Sequence, residues 1–314
     1  RAASRRTRRC AAPWNDSSDF SFTVGGGSGA SGNGGSATVA VASGTIATTG
    51  ARSVGIVAQS IGGGGGLVAG PAVSIGSTSA QGQPGSNAAK GGSVSVTLGS
   101  GAAITTTGAG AWGILAQSIG GGGGFAGDSS LPLQFPVSNT LPDRPNNNGA
   151  YPDSGTVSVS VGGNITTSGA NAHGIFAQAV GGGGGIAAGG GLSTGATLVA
   201  GNSAQFYGRS DQTYAGEGMA VTVTQTGGAI LASGPGSIGI IAQSTGKSVY
   251  TQPITISIGG SVTGGTNAGV SGGAGAAGIL VSGGVLPGSV APAAANTITV
   301  LAGGSVATVD GVSG

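Results

Sequence analysis

Apolar residues alternate with small polar residues in short runs that recur along the chain. Six of these runs are ATVAVA (37–42), SVSVTL (93–98), TVSVSV (156–161), AVTVTQ (220–225), ITISIGGSV (254–262) and ITVLAGGSV (298–306). Alternation with a period of two among β-branched residues, bounded by glycine, is typical of β-strands. The apolar spacing of three and four residues that indicates helices is absent from the sequence. The pattern therefore predicts an all-β protein.

A second recurring segment follows four of these runs. It reads GIVAQSIGGGGG (55–66), GILAQSIGGGGG (113–124), GIFAQAVGGGGG (174–185) and, in shortened form, GIIAQSTGKS (239–248). The glutamine of each copy lies 13 residues after an isoleucine, in the pairs Ile46 and Gln59, Ile104 and Gln117, Ile165 and Gln178, Ile230 and Gln243. Successive glutamines are 58, 61 and 65 residues apart. A fixed internal spacing with variable spacing between copies predicts rigid repeats, with the length variation outside them.

Short strands joined by tight corners and repeated in register predict a right-handed parallel β-solenoid with glycine-rich corners and long loop excursions. We place it in one domain, 21–314, with repeats near 36–66, 92–124, 155–185 and 219–248 and a degenerate part at 253–314. Each repeat is long enough for one coil with an excursion or for two coils. Apolar stretches such as PAVSIG (71–76) and ATLVAG (196–201) favour two coils.

The two faces of the GIxAQ strand have different predicted neighbours. One face forms an inward core column of isoleucines, with an alanine two residues after each of the first four: Ile56, Ile114, Ile175, Ile240 and Ile279. The opposite face carries a second apolar column, made of Val57, Leu115, Phe176 and Ile241. The segments 67–91, 125–154 and 186–218 are available to cover that second column.

The second face also carries the four glutamines. We expect Gln59, Gln117, Gln178 and Gln243 to stack as a structural ladder on the solenoid wall, because side-chain amides pair along the axis of in-register parallel β arrays. The glycine runs that follow suit corners, which need positive φ or close backbone approach. A plain flexible linker would not explain the fixed 13-residue spacing.

Composition supports a repetitive architecture over an ordinary globule. Glycine supplies 73 of 314 residues and charged residues only 6%, against about 7% and about 25% in typical soluble domains. With 38% hydrophobic residues, the chain also lacks the high charge and low hydrophobicity of disordered proteins. Cys10 is the only cysteine, which excludes an intrachain disulfide. No run of 18 apolar residues predicts a membrane-spanning helix.

Charge is concentrated at the start of the sequence. Five arginines fall within the first nine residues and supply half of the ten basic side chains. Residues 1–20 differ in composition from all that follows, so we expect a disordered or foreign N-terminal tail there. The basic cluster is short and has no basic partners downstream, and we therefore expect no nucleic-acid binding.

Few residues offer catalytic chemistry. His173 is the only histidine, and its position in the repeat is filled elsewhere by Val54, Trp112 and Ile238, which indicates a structural role. The glycine runs lack the aspartates of calcium-binding repeats and the Lys-Ser/Thr of a phosphate loop. We therefore expect no catalytic residue, metal or cofactor. Threonine arrays for ice binding receive weak support, because only one repeat places both of the aligned threonines on the outward side.

Two loop features remain as alternatives. Paired carboxylates can cleave glycosidic bonds, and the five candidates are Asp128, Asp143, Asp153, Asp211 and Glu217. Solubilising loop charge is the simpler interpretation, because these residues lie in segments rich in proline and asparagine. A small binding patch is the second feature, made of Tyr207, Arg209, Asp211 and Tyr214.

The segment GIVAQSIGGGGG, preceded by GTIATTGARSV (44–54), resembles the passenger repeats of large bacterial autotransporters, the type V secreted proteins of Gram-negative bacteria. The resemblance covers about residues 36–310. It implies a β-helical passenger that is secreted or displayed beyond the outer membrane, commonly in adhesion. Family members also carry a signal peptide and a C-terminal translocator. The sequence shows neither, so we expect an internal or truncated piece.

These observations predict a non-catalytic stalk or adhesin module. The expected partners are ligands on host or neighbouring cells, or other copies of the chain, without nucleic acid and without a membrane span in this fragment. The alternative is a β-helical enzyme that acts on a polysaccharide or another polymer through its loop excursions. The sequence specifies neither the receptor nor the oligomeric state.

Overall fold

The computed structural model describes residues 32–63, 65–69, 89–121, 123–127, 129–130, 133–134, 153–181, 184–188, 204–208, 216–245, 252–267, 275–283 and 295–309. These residues form twenty β-strands and no helix, which confirms the all-β prediction. No helix among them could therefore cross a membrane. The predicted tail at 1–20 lies outside the described residues.

The strands follow the alternating runs, the GIxAQ segments and the glycine runs. In chain order they are β1 (Ala37–Thr48), β2 (Ile56–Ile61), β3 (Gly65–Ala69), β4 (Val94–Thr106), β5 (Ile114–Ile119), β6 (Gly123–Gly127), β7 (Leu133–Gln134), β8 (Val157–Val161), β9 (Asn164–Thr167), β10 (Ile175–Val180), β11 (Gly184–Ala188), β12 (Ala204–Gly208), β13 (Val221–Gln225), β14 (Ala229–Ala232), β15 (Ile238–Thr245), β16 (Ile254–Ile258), β17 (Ser261–Gly264), β18 (Ala277–Gly283), β19 (Thr297–Val300) and β20 (Ser305–Thr308).

The first sheet has ten strands, all parallel, and consists of two halves. In the upstream half the alternating runs pair in the order β1, β4, β8, β13, β16 and β19. In the downstream half the isoleucine strands pair in the order β1, β4, β9, β14, β17 and β20. Both halves share the long strands β1 and β4, whose mutual register shifts between Val41 and Ser43.

The second sheet contains the GIxAQ strands in the order β2, β5, β10, β15 and β18, again all parallel. Each strand pairs directly with its counterpart in the next repeat, so that Ile56 aligns with Ile114 and Ile114 with Ile175. This direct pairing leaves no place for a second coil between them. The preference for two coils per repeat is therefore wrong, and the stretches 71–76 and 196–201 that suggested it lie outside the described residues.

A third sheet begins inside the glycine runs. Strands β3, β6 and β11 are parallel, β12 joins β11 in antiparallel orientation, and β7 pairs with β12. Its residues Phe125 and Ile186 pack with Leu115, Phe176 and other residues of the second sheet. Both residues belong to segments expected to cover the second apolar column, so the expectation is confirmed for Leu115, Phe176 and Ile241, whereas Val57 at the start of the column is exposed.

The larger core lies between the first and second sheets. It contains the inward isoleucines Ile56, Ile114, Ile175 and Ile240, all buried, together with the inward valines and isoleucines of the first sheet. Ile279 of the last second-sheet strand is partly buried against it. Apolar burial of this kind contributes about 25 cal/mol per Å², and because the repeats align in register it continues through successive repeats.

The turn between the isoleucine strand and the GIxAQ strand is closed by a threonine. Thr48 Oγ1 donates to the carbonyl of Ser53 over 2.6 Å. Thr106 and Thr167 donate in the same way to the carbonyls of Ala111 and Ala172. Each bond spans five residues. The closure holds this turn at one length in the first three repeats, whereas the fourth repeat has Ala232 in place of the threonine and keeps the same 13-residue spacing without this bond.

The serine of the AQS motif joins the second sheet to the segment that enters the first sheet. Ser118 Oγ donates to the carbonyl of Gly92 and accepts from the amide of Gly155, at 2.8 and 2.7 Å. Ser60 makes the corresponding pair of bonds one repeat earlier. The third repeat has Ala179 at this position, and there Ser154 accepts from the amide of Met219.

The glycine before each GIxAQ isoleucine lies where two backbones approach closely. A Cβ on Gly113 would lie 2.5 Å from the carbonyl oxygen of Gly174 and 2.6 Å from Ile165 Cγ2. Both distances are too short for a real side chain. Within the runs themselves, Gly63 and Gly121 adopt φ of 86° and 84°, which favours glycine.

Candidate functional site

The four glutamines align in the second sheet and their amides form a chain. Gln59 Nε2 donates to Gln117 Oε1 over 2.7 Å, Gln117 to Gln178 over 2.5 Å, and Gln178 to Gln243 over 2.6 Å. Gln243 Nε2 lies 3.5 Å from Ser282 Oγ in the next strand. Every amide in the chain therefore donates in the same direction, from one repeat to the next.

The ladder is inside the protein and not on an outer wall. Gln117, Gln178 and Gln243 are buried and only Gln59 is partly exposed. Gln117 Nε2 also lies 3.5 Å from the carbonyl of Gly124 in β6, on the covering third sheet. The predicted alignment of the four glutamines is therefore present in the second sheet, on the face that the third sheet covers. A buried amide must be hydrogen-bonded to avoid a desolvation penalty, and the ladder provides these bonds.

His173 is fully buried next to Trp112, with ring centroids 5.3 Å apart. Its Nδ1 accepts a hydrogen bond from the amide of Ile238 over 3.0 Å. The imidazole is therefore neutral with its proton on Nε2, which has no hydrogen-bond partner among the described residues. Burial lowers the pKa of His173 from 6.5 to about 3.

The surroundings of His173 are aromatic and aliphatic. Trp112 stacks on Phe176 at 5.2 Å and meets Phe125 edge-on at 5.4 Å. The Trp112 indole N–H donates to the carbonyl of Asn171. With a low pKa and full burial, His173 cannot exchange protons with a solvent-borne substrate near neutral pH. Its contacts fit the structural role predicted from Val54, Trp112 and Ile238.

Asp153 and Glu217 are the candidate carboxylates within the described residues. Asp153 Oδ2 forms an ion pair with Lys90 Nζ at 2.7 Å, and Asp153 Oδ1 accepts from the amide of Glu217 at 2.9 Å. These contacts raise the pKa of Lys90, first through the hydrogen bond and the charge of Asp153. Asp153 therefore connects successive repeats. The Lys90 side chain of this pair is 58% exposed, so Asp153 belongs to a surface ion pair, which is compatible with solubilising loop charge.

Most of the remaining candidate carboxylates and loop-patch residues lie outside the part of the chain that the structure describes. Asp128, Asp143 and Asp211 lie outside the described residues, as do Arg209 and Tyr214 of the candidate patch. Tyr207 belongs to β12, where it pairs with Gly185 of β11. In the described part of the chain, no group of three or more His, Cys, Asp or Glu side chains could hold a metal ion.

The outer face of the upstream half carries a regular surface that the sequence reasoning missed. Pairing aligns two outward columns, here called the hydroxyl face: Thr38, Ser95, Ser158, Thr222, Thr255 and Thr297, and Ala40, Thr97, Ser160, Thr224, Ser257 and Thr299. Adjacent strands are about 4.8 Å apart. The polar positions of each alternating run are the sequence signal for this face. The threonines considered above for ice binding belong instead to the isoleucine strands.

Comparison with known proteins gives no match to a family model, to a curated protein or to a solved structure. A function for this chain is therefore inferred from the contacts of its own residues.

Proposed function

We propose that the chain is a right-handed parallel β-solenoid that works as a non-catalytic stalk or adhesin module, secreted or displayed on a bacterial cell surface. In-register pairing supports this: each of the first four repeats adds strands to both halves of the first sheet and one strand to the second sheet. Each repeat would then lengthen the molecule by about 4.8 Å, the distance between hydrogen-bonded strands. Such a body is suited to spacing and display.

The observation that carries the adhesive role is the hydroxyl face. None of the strands in the first sheet contains a charged residue, and eleven of the twelve positions of the hydroxyl face are Ser or Thr. Hydroxyl groups both donate and accept hydrogen bonds, which suits a neutral, hydroxyl-rich partner. We therefore propose cell-surface glycans without charge as the ligand class.

A glycan-binding measurement tests this role. The whole chain is applied to an array of neutral and acidic glycans, beside a variant with Thr97→Lys and Thr255→Lys on the hydroxyl face. A matched control carries Thr105→Lys and Thr263→Lys on the outer face of the downstream half. We expect neutral glycans to bind the wild type and the control, and binding to the first variant to fall at least about tenfold, or 1.4 kcal/mol. Equal binding by both variants would contradict the assignment.

The solenoid architecture has its own test. Removing residues 94–156 joins Ser93 to Val157, the residue that aligns with Val94. A solenoid should lose one repeat and stay folded, because each repeat contacts only its neighbours. A closed barrel could not lose these strands. Loss of the β-sheet circular dichroism spectrum in the shortened chain would argue against the solenoid.

The enzyme alternative is examined with the same material. Polysaccharides and esters are incubated with the wild type, His173→Ala and Asp153→Asn, and released products are measured. We expect no turnover. Turnover that persists in His173→Ala and disappears in Asp153→Asn would favour the enzyme, with carboxylates as its catalytic groups.

A further inference from the structure

The hydroxyl face contains side chains that the fold does not use for its own hydrogen bonds. On the four strands β4, β8, β13 and β16, each paired on both sides, they form a set here called the hydroxyl grid: Ser95, Thr97, Ser158, Ser160, Thr222, Thr224, Thr255 and Ser257. All eight are exposed or half-buried. Within the described residues, no group hydrogen-bonds to any of these hydroxyls. The turn threonines and the AQS serines, in contrast, donate to carbonyls of the protein.

The uniform hydroxyl content is not a general property of the outer surface. Half of the corresponding outer positions of the downstream half, on β4, β9, β14 and β17, have no hydroxyl group; these positions are Ala103, Thr105, Asn164, Thr166, Ala229, Leu231, Ser261 and Thr263. Both halves consist of parallel strands with a buried inner face, so the folding requirement is the same for both. The difference therefore indicates a role for the hydroxyl grid outside the fold.

Pairing arranges the hydroxyl grid in two columns and four rows. Successive rows are about 4.8 Å apart, the distance between hydrogen-bonded strands, and the two columns are about 6.6 Å apart, two residues along a strand. The rows keep one register, because Ser158 aligns with Ser95 on one side and with Thr222 on the other. A ligand that repeats at the row distance can therefore make the same contacts on every strand.

We propose that the hydroxyl grid binds one extended β-1,4-linked neutral glycan chain, which runs across the strands with about one sugar on each strand. The proposal rests on the adhesive function proposed above and names the class of glycan. An extended β-1,4-linked hexose chain advances by about one strand spacing for each sugar. Its rings lie in line, so one chain can follow the hydroxyl grid from β4 to β16. Chains with α-1,4 or β-1,3 links coil instead, and their successive sugars leave a straight row.

Serine and threonine suit this chain because of how its sugars alternate. Each hexose ring has hydroxyl groups on both long edges, so a ring between the two columns can contact both. Successive rings of a β-1,4 chain are turned over, so the edge that faces a given column changes from one sugar to the next. A Ser or Thr hydroxyl both donates and accepts hydrogen bonds, and it can therefore bind either edge.

Binding should depend strongly on the length of the glycan. A hydrogen bond exchanged with water contributes little net free energy, so a disaccharide should bind weakly. A longer chain in register adds equivalent contacts on each further strand, and each of these forms within a chain that is already bound. We expect the affinity to rise at least about tenfold from the disaccharide to the tetrasaccharide.

Surface plasmon resonance with the whole chain immobilised tests the proposal. The probes are β-1,4-linked glucose oligomers from cellobiose to cellohexaose, with maltohexaose and laminarihexaose as the α-1,4 and β-1,3 counterparts. Cellohexaose should bind at least about tenfold more tightly than either counterpart.

A substitution in the middle of the hydroxyl grid locates the site. Ser160→Lys interrupts the grid on β8 and should reduce the affinity for cellohexaose to that for cellobiose. Thr166→Lys is the matched control, because Thr166 is a half-buried outer residue of the same repeat on the downstream half, and it should bind cellohexaose like the wild type. If Ser160→Lys alters the circular dichroism spectrum, Ser158→Ala with Ser160→Ala removes the hydroxyls without adding bulk and should weaken cellohexaose binding at least about threefold.

The contrary results separate this proposal from the adhesive function. Equal affinity for cellohexaose and maltohexaose, or no increase with length, would refute the extended chain, while binding of other neutral glycans would leave the adhesive function in place. Cellohexaose binding that Ser160→Lys and the double alanine variant leave unchanged would place the ligand elsewhere on the molecule. No binding of any neutral glycan would overturn both.

Discussion

Acidification should destabilise this protein through His173. The folded protein holds the imidazole neutral, since burial lowers its pKa from 6.5 to about 3. In the unfolded chain the same side chain takes up a proton near pH 6.5. The stabilising contribution is therefore complete above pH 6.5 and is lost progressively as the pH falls toward 3.

The size of the effect follows from proton linkage. One proton bound only by the unfolded state changes the free energy of unfolding by about 1.4 kcal/mol per pH unit. Between pH 7 and pH 5 the loss should be about 2 kcal/mol, because titration begins only near 6.5. Protonation of Nδ1 would also remove the acceptor for the Ile238 amide, and this too would destabilise the folded protein at low pH.

Urea unfolding followed by tryptophan fluorescence measures this loss. A Trp14→Phe background makes Trp112, which lies against His173, the only reporter. The comparison variant is His173→Ile, since Ile238 occupies the equivalent position. This variant should be less stable at pH 7 by about 1 to 3 kcal/mol, because the Ile238 amide loses its acceptor. Its free energy of unfolding should not change between pH 7 and pH 5. An equal pH dependence in both proteins would refute the reasoning.

Three further substitutions probe the packing. Gln178→Leu should cost about 2 to 4 kcal/mol in urea unfolding, because it breaks two ladder bonds inside the protein, whereas Gln59→Leu at the ladder's end should cost less than half as much. Gly113→Ala should lower stability by about 1 to 3 kcal/mol through overpacking, while Gly35→Ala, with nothing within 4 Å of the new Cβ, should unfold at the wild-type urea concentration. Lys90→Met should cost less than about 1 kcal/mol, and the cost should shrink in high salt, because the lysine is 58% exposed; a larger, salt-independent loss would contradict this.

Periodicity carried most of what the sequence could predict. The alternating runs indicated the first sheet, and the fixed distance from Ile46 to Gln59 indicated that corresponding residues would align. Both signals come from side chains that face alternately inward and outward along a strand. The alignment of Gln59 with Gln117 is a direct result of that register.

The third sheet was beyond the reach of this reasoning. Its strands begin at glycines such as Gly123 and Gly184, which have no side chain to reveal a face. Its antiparallel strand β12 lies in the long segment 186–218, outside the parts of the repeats that align in sequence. The bond from Asp153 to the Glu217 amide was missed for a related reason, since it joins residues 64 positions apart whose side chains differ between repeats.

The amide ladder has a direction, and that direction is a property of the whole row. Turning over the amide of Gln178 alone would set two oxygens face to face on one side and two NH₂ groups on the other. Gln117 and Gln243 could restore the bonds only by turning over as well, and the change would spread to the end of the row. The four side chains therefore share two collective orientations, like a line of dipoles, and a rotation in one repeat is felt in the others.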